Sequence, residues 1–141
     1  MPEKNFRFLT VEAVEAIHQE VISAHGGLPG LRDRALLEAA VGAPQAAYGG
    51  EAHIKEVIDI AAAYLLFLCR NHSFNDGNER TALATSLVFL EANQRLPEPD
   101  LPAQRIDDWE KLILDIAASH IDRAVSTRRF RALLSSKPKR R

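Results

Sequence analysis

The residues best suited to chemistry lie together in one stretch, residues 71–82, which reads N-H-S-F-N-D-G-N-E-R-T-A. His72 can accept a proton near neutral pH, and Asp76 offers a carboxylate that can hold a hard cation such as Mg²⁺. A helix is predicted directly after Gly77, so its first backbone N–H groups lack partners within the helix and favour an anion. The guanidinium of Arg80 can form a bidentate pair of hydrogen bonds with phosphate. The stretch therefore predicts a phosphate-handling site.

A purely structural interpretation of the same stretch makes its Asn and Asp residues turn and cap residues, with Phe74 in the core and His72 bonded to backbone. Each residue alone favours that interpretation, but their arrival together at a helix N-terminus favours the phosphate site. The other histidines lack such neighbours and are interpreted as surface or partly buried residues rather than ligands: His18, His25, His53 and His120.

The elements that must position this stretch are predicted to be helices. Thr10 can cap a first helix that stops before Gly26, and Asp33 can cap a second that Gly42 to Pro44 would end. Residues 54–71 are apolar on nearly every face after the first turn, which predicts a central helix surrounded by the others.

Further helices are predicted after the polar stretch. Residues 79–93 carry one apolar stripe, whereas residues 94–106 contain three prolines and form an extended edge or hairpin at most. Asp107 with Glu110 resembles a capping box for a fifth helix, and Ser126 could start a sixth. We expect an all-α, compact, single-domain bundle of about six helices, with at most a short hairpin.

Composition excludes several classes of protein. A chain of 141 residues with 46% hydrophobic and 26% charged residues is one globular domain, neither disordered nor fibrous. The single cysteine, Cys69, excludes a disulfide scaffold and favours the cytoplasm. The longest apolar run, residues 60–69, is too short to cross a bilayer, and the N-terminus does not resemble a signal peptide. We expect a cytoplasmic protein with no membrane partner.

Charge is distributed unevenly along the chain. Residues 1–122 carry a net charge of −9, and the last nineteen residues carry +8. We expect a domain over residues 1–134 and a disordered basic tail over residues 135–141. Nucleic acid is not a favoured partner, because one nearby aromatic residue, Phe130, does not make a stacking surface.

Residues 72–80 resemble the signature of the Fic/Doc family, H-x-F-x-[D/E/N]-[G/A]-N-[K/G]-R, except at position 79. The resemblance is closest to the Doc branch, the "death on curing" toxins of Phd/Doc toxin–antitoxin systems. It rests also on F-L-T-V-E-A-V at residues 8–14, G-G-L-P-G-L-R-D at 26–33 and R-T-A-L at 80–83. It implies the helical Fic fold.

The resemblance also implies a role for each residue of the motif. His72 would be the general base that deprotonates a target hydroxyl, and Asp76 would hold Mg²⁺ on the phosphates of ATP. Phe74 would anchor the loop from inside, and residues 46–53 would form a flap that aligns the target peptide. The nucleotide and phosphate site would comprise Gly77, Asn78, Glu79 and Arg80.

Leu83 stands where adenylyl-transferring members carry a second arginine, which favours transfer of the γ-phosphoryl of ATP. By resemblance the acceptor is a threonine of elongation factor Tu, and translation would stop. Transfer of AMP to the target, as in the wider Fic family, is the alternative enzymatic function.

Glu79 is the departure from the family pattern, which has Lys or Gly there. A carboxylate about 4 to 6 Å from a phosphate, at an effective dielectric near 20, repels it by about 3 to 4 kcal/mol. Unless the side chain turns outward, activity is expected to be weak. Three interpretations would explain Glu79. The protein is a naturally attenuated member of the family, it prefers a different nucleotide, or the glutamate was introduced so that a toxic protein could be produced. A catalytically silent module that keeps an antitoxin interface is the third functional hypothesis.

Inhibition within the chain is not expected, because no Ser or Thr is followed four residues later by Glu, as the inhibitory motif of self-inhibited Fic proteins requires. The resemblance instead implies a Phd-like antitoxin whose C-terminal helix docks near the active site.

Overall fold

A computed structural model of the chain describes residues 6–49, 56–97 and 105–135. These ranges contain six helices and no strand, which confirms the predicted all-α class. The helices are α1 (Val11–His25), α2 (Arg34–Gly49), α3 (Val57–Asn71), α4 (Asn78–Ala92), α5 (Ile106–Ala117) and α6 (Arg123–Ser135).

Helix α3 is the centre of the bundle, as its apolar sequence predicts. Ten of its fifteen residues are buried, and it packs against α2, α4, α5 and α6. Pairs of aromatic side chains pack between neighbouring helices. The rings of Tyr64 and Phe89 lie 5.2 Å apart between α3 and α4, and those of Trp109 and Phe130 lie 5.7 Å apart between α5 and α6. The motif residues are therefore attached to the end of the most deeply buried helix.

Helix α2 is longer than predicted, because Gly42 and Pro44 do not end it. Leu37, Ala40, Val41 and Pro44 are all buried. Their spacing of three, four and seven residues places the proline ring on the buried stripe of the helix. Packing of that stripe thus outweighs the hydrogen bond that a proline removes from a helix interior.

Two helix starts also differ from prediction. The prediction of a capping box at Asp107 and Glu110 is wrong. Helix α5 begins at Ile106, directly after Arg105, and the Arg105 guanidinium pairs with Asp108 in the first turn. That pair keeps acidic side chains at the positive end of the helix dipole without a side-chain cap. Helix α6 begins three residues before Ser126, because Asp122 Oδ1 accepts the N–H of Val125 at 2.9 Å.

Some predictions fall on residues outside the described ranges. Of the predicted flap, residues 46–49 belong to α2, and residues 50–53 lie outside the described ranges. Most of the possible hairpin at 94–106 and residues 136–141 of the predicted tail also lie outside them. Helix α6 continues to Ser135, one residue beyond the predicted domain end. None of the described helices combines the length and apolar character needed to span a bilayer.

We predict that two leucines of α5 differ sharply in their contribution to stability. Leu112 is fully buried, whereas Leu114, two residues later, is 63% exposed. Leu112→Ala should lower the free energy of unfolding by about 2 to 5 kcal/mol, because it leaves a cavity in the core. Leu114→Ala, the matched control, should change it by less than about 0.5 kcal/mol. Chemical denaturation measures both, and equal losses would contradict the observed orientation of α5.

Candidate active site

The predicted site lies on the turn between α3 and α4, residues 72–77, here called the motif loop. Helix α3 ends at Asn71 and is followed by His72, whose backbone adopts the left-handed conformation with φ of 49°. The loop closes at Gly77, which has φ of 73° and precedes α4. Glycine adopts that φ without the steric cost that a Cβ brings. The two left-handed residues turn the chain so that α4 starts beside the end of α3.

The motif loop is held by the connection between α1 and α2, residues 26–33, here called the α1–α2 loop. Leu31 and Phe74 form an antiparallel bridge. On one side of the bridge the N–H of Arg32 donates to Ser73 O at 2.8 Å, and on the other the N–H of Asn75 donates to Gly30 O at 3.1 Å. Backbone bonds to a second segment thus fix the conformation of the motif loop.

Arg32 adds a side-chain contact at the predicted base. Its Nε donates to the carbonyl oxygen of His72 at 2.7 Å, at the C-terminal end of α3 where helix carbonyls lack partners. The His72 residue is exposed, and the hydrogen bonds described in the structure use its backbone oxygen but not its ring. The imidazole is therefore accessible to a hydroxyl group arriving from solvent.

Phe74 and Asn78 close the motif loop from inside. Phe74 is 4% exposed and belongs to the core. Asn78 Nδ2 donates to Phe74 O at 3.0 Å, while Asn78 Oδ1 accepts the N–H of Phe74 at 3.0 Å. Since the Asn78 side chain is buried and both its polar atoms are engaged, only its backbone N–H remains for a bound anion.

Asp76 carries the exposed carboxylate of the loop. Its Oδ1 accepts the N–H of Gly77 at 2.9 Å, and its Oδ2 accepts the N–H of Leu28 at 3.2 Å. Two amides thus orient the carboxylate, and each oxygen keeps a lone pair. Gly27 lies beside it with φ of 116°, a conformation that other residues rarely adopt, and a Cβ there would lie 2.8 Å from Asp76 Oδ2.

The oxygen chemistry of Asp76 fits a magnesium ion. Within the described residues no group of three or more His, Cys, Asp or Glu side chains could enclose a metal. Mg²⁺ does not need such a cage, because it is commonly held by one or two carboxylates together with water and substrate phosphates. A single oriented carboxylate beside a phosphate site is sufficient for that mode of binding.

One cavity of about 470 Å³ brings together most of the predicted phosphate residues. Asp76, Gly77, Glu79 and Arg80 line it. No side chain caps the N-terminus of α4, so the first N–H groups of that helix are open to an anion. The remaining wall, mostly apolar, comes from α1, α4 and α5: Val21, His25, Gly26, Leu83, Ile106, Glu110, Ile113 and Leu114. His72 and Asn78 are not among the lining residues.

Glu79 is partly buried and lines this cavity. Its carboxylate also acts on a buried thiol of α3. Burial raises the pKa of the Cys69 thiol to about 12, and the negative charge of Glu79 makes a smaller contribution in the same direction. In the described part of the chain, neither Glu79 nor Arg80 takes part in an ion pair. The carboxylate is thus not neutralised there by its neighbour in the sequence.

Sequence reasoning missed His18, which the structure places against the motif loop. The side chain is 4% exposed, and its ring stacks on Phe74 with centroids 3.8 Å apart and an interplanar angle of 6°. Its Nε2 donates to Asp76 O at 2.8 Å. Residues 18 and 76 are 58 positions apart, so spacing alone could not reveal the contact. A polar residue on the apolar stripe of α1 was the available signal.

Comparison with known proteins indicates the family of this chain. The profile described as "Fic/DOC family" matches residues 8–90, which span α1 to α4 and include the motif loop. The chain is 40% identical over 97 residues to "Protein kinase doc" of Escherichia phage P1, covering 67% of this chain and 76% of that protein. It is 42% identical over 85 residues to "Toxin Doc" of Mycolicibacterium smegmatis (strain ATCC 700084 / mc(2)155), covering 60% and 65%. The family match spans more than half of the chain, and this protein therefore belongs to the Fic/DOC family.

Proposed function

We propose that this protein is a Doc-like toxin of a toxin–antitoxin module that transfers the γ-phosphoryl group of ATP to a protein hydroxyl. Family membership and similarity to proteins named as a kinase and as a toxin support the class of activity. The observation that carries the proposal is the juxtaposition of an oriented carboxylate, Asp76, with the uncapped N-terminus of α4 in one cavity.

Each group of the site has a task in this reaction. Backbone N–H groups at the start of α4 and the Arg80 guanidinium would bind phosphate oxygens. Asp76 would hold Mg²⁺, which supplies charge neutralisation on the phosphates when bound. His72 would accept the proton of the target hydroxyl while the hydroxyl oxygen bonds to the γ-phosphorus. The bond from that phosphorus to the oxygen bridging to the β-phosphate breaks, and ADP leaves.

Leu83 supports phosphoryl over nucleotidyl transfer. It lies one turn after Arg80 on α4 and lines the same cavity. An aliphatic side chain cannot pair with a phosphate, so this face of α4 offers one guanidinium rather than the two that adenylyl-transferring members carry. By the family resemblance the acceptor would be a threonine of elongation factor Tu, and the protein would act in the cytoplasm to arrest translation.

A groove beside the active site is suited to the helix of a Phd-like antitoxin. Helices α1 and α4 line a cavity of about 500 Å³, whose walls include the apolar side chains of Ile17, Val21, Ala84 and Val88. Val21 also lines the active-site cavity, so the two cavities are adjacent. An amphipathic helix places apolar residues in such a groove. The net charge of −9 on residues 1–122 favours a basic partner segment.

We predict that His72→Ala greatly slows phosphoryl transfer. Purified protein, elongation factor Tu, Mg²⁺ and ATP labelled at the γ-phosphate should give a labelled factor, and the variant should lower the rate by at least about a hundredfold, as expected for loss of a general base. His120→Ala, at an exposed histidine, is the control. Label transferred from the α-phosphate would instead establish nucleotidyl transfer, and no label from either position would support a silent binding module.

Replacing Glu79 tests whether its charge opposes the nucleotide. Glu79→Lys should tighten binding of Mg²⁺-ATP by at least about tenfold and raise turnover, because it replaces repulsion with attraction. Glu79→Gln should give a smaller gain. Glu91→Lys makes the same charge change at an exposed position near the other end of α4 and should have little effect. Calorimetric titration measures the affinities; unchanged or weaker binding of Glu79→Lys would show that the carboxylate does not repel the phosphates.

The groove is tested by placing a charge in it. Val88, which is 36% exposed, can be changed to Asp, and growth arrest by this variant should no longer be relieved when the proposed Phd-like antitoxin is co-expressed. Toxicity of the variant alone should persist, since Val88 does not line the active-site cavity. Ala39→Asp, at an exposed position of α2, is the control and should still be neutralised. Full relief of the Val88→Asp variant would exclude this groove as the docking site.

A further inference from the structure

The contact between His18 and Asp76 fixes the orientation of the whole peptide plane between Asp76 and Gly77. The carbonyl oxygen of Asp76 and the N–H of Gly77 belong to the same peptide plane. His18 Nε2 donates to the oxygen at 2.8 Å, and the N–H donates to Asp76 Oδ1 at 2.9 Å. If this plane turned over, both hydrogen bonds would break together. The orientation of the predicted metal ligand is therefore coupled to the orientation of this one peptide.

Such a turn of the peptide plane is a realistic motion at this position. Gly77 has no Cβ, so backbone conformations on both sides of φ = 0° are accessible to it. The glycine thus permits the observed turn but does not select it. Selection must come from contacts, and α1 supplies them: a Cβ on Gly77 would lie 3.2 Å from Ile22 Cδ1 and 3.8 Å from His18 Nε2.

The chemistry of the contact determines which ring nitrogen of His18 carries a hydrogen. A carbonyl oxygen only accepts hydrogen bonds, so Nε2 must carry the hydrogen. In the neutral ring Nδ1 is then the acceptor. The ring plane is fixed in turn by its stack on Phe74, whose own backbone is bonded to Asn78. The donor is therefore held rigidly by a buried aromatic pair.

We infer that His18 is a positioning residue that locks the Asp76–Gly77 peptide plane, so that the Asp76 carboxylate and the first N–H groups of α4 face the same cavity. The inference rests on the proposed function for its effect on catalysis, but the lock itself is a property of the protein without ligands. Its loss would weaken use of Mg²⁺-ATP without removing any group that contacts the nucleotide.

Two substitutions separate the hydrogen bond from the ring stack. His18→Phe keeps a flat aromatic ring on Phe74 but has no donor, whereas His18→Gln keeps an N–H donor but has no ring. In the metal-free protein, hydrogen–deuterium exchange of the Gly77 amide should become at least about tenfold faster in His18→Phe, as expected when the partly buried hydrogen bond to Asp76 O is lost. It should change less in His18→Gln. His120→Phe makes the same change at an exposed histidine and should leave this amide unaffected.

A second readout connects the lock with function. The Mg²⁺ concentration that half-saturates ATP binding should rise at least about tenfold in His18→Phe and less in His18→Gln, with thermal unfolding confirming that each variant is folded. Equal exchange and equal Mg²⁺ dependence in wild type and His18→Phe would overturn the inference, as would equal damage by both variants. Absence of ATP binding by the wild type would contradict the proposed function, and exchange at Gly77 would still decide the lock.

The wild-type protein supplies a test that does not depend on folding of a variant. Nitrogen-15 NMR of the histidine rings distinguishes a protonated from an unprotonated ring nitrogen. The His18 ring should show hydrogen on Nε2, the nitrogen that contacts Asp76 O. The opposite tautomer would overturn the inference, because Nε2 could not then donate to Asp76.

Discussion

Backbone pairing between the α1–α2 loop and the motif loop is the constraint on which the site depends. The N–H of Arg32 and that of Asn75 bond across the Leu31–Phe74 bridge, one on each side of it. Without this pairing, the backbone of the motif loop would be held mainly by side chains, those of His18 and Asn78. With it, the exposed groups are carried on a backbone whose polar atoms already have partners.

The same arrangement explains why a reactive site can be exposed and still ordered. The His72 ring and the Asp76 carboxylate face solvent, but their backbones are held by Arg32 and His18 respectively. Phe74 joins these supports to the core beside α3. Preorganisation of this kind lowers the cost of placing charged groups where phosphate charge must be bound. Gly27 and Gly77 allow the close approach of the chain on which it depends.

Much of the architecture follows from sequence patterns: the apolar run of α3 is buried at the centre of the bundle, and the predicted helices α1 and α4 form on either side of the loops that carry the site. Local rules failed where packing or a distant partner decided the outcome. Pro44 continues α2 because its ring lies on a buried stripe, and Arg105 with Asp108 replaces the expected capping box of α5. Of the predicted site residues, Asp76, Gly77, Glu79 and Arg80 line one cavity, whereas His72 and Asn78 do not line it. His18 and Arg32 contact the motif loop from distant parts of the chain, which spacing does not encode.

The most direct measurement is a crystal structure of the protein with Mg²⁺ and an ATP analogue that cannot be hydrolysed, determined for wild type and for Glu79→Gln. The account predicts phosphate oxygens against the backbone N–H groups of residues 78–80 and the ion on the Asp76 carboxylate. A nucleotide bound elsewhere in both proteins, with those amides and that carboxylate unliganded, would contradict it.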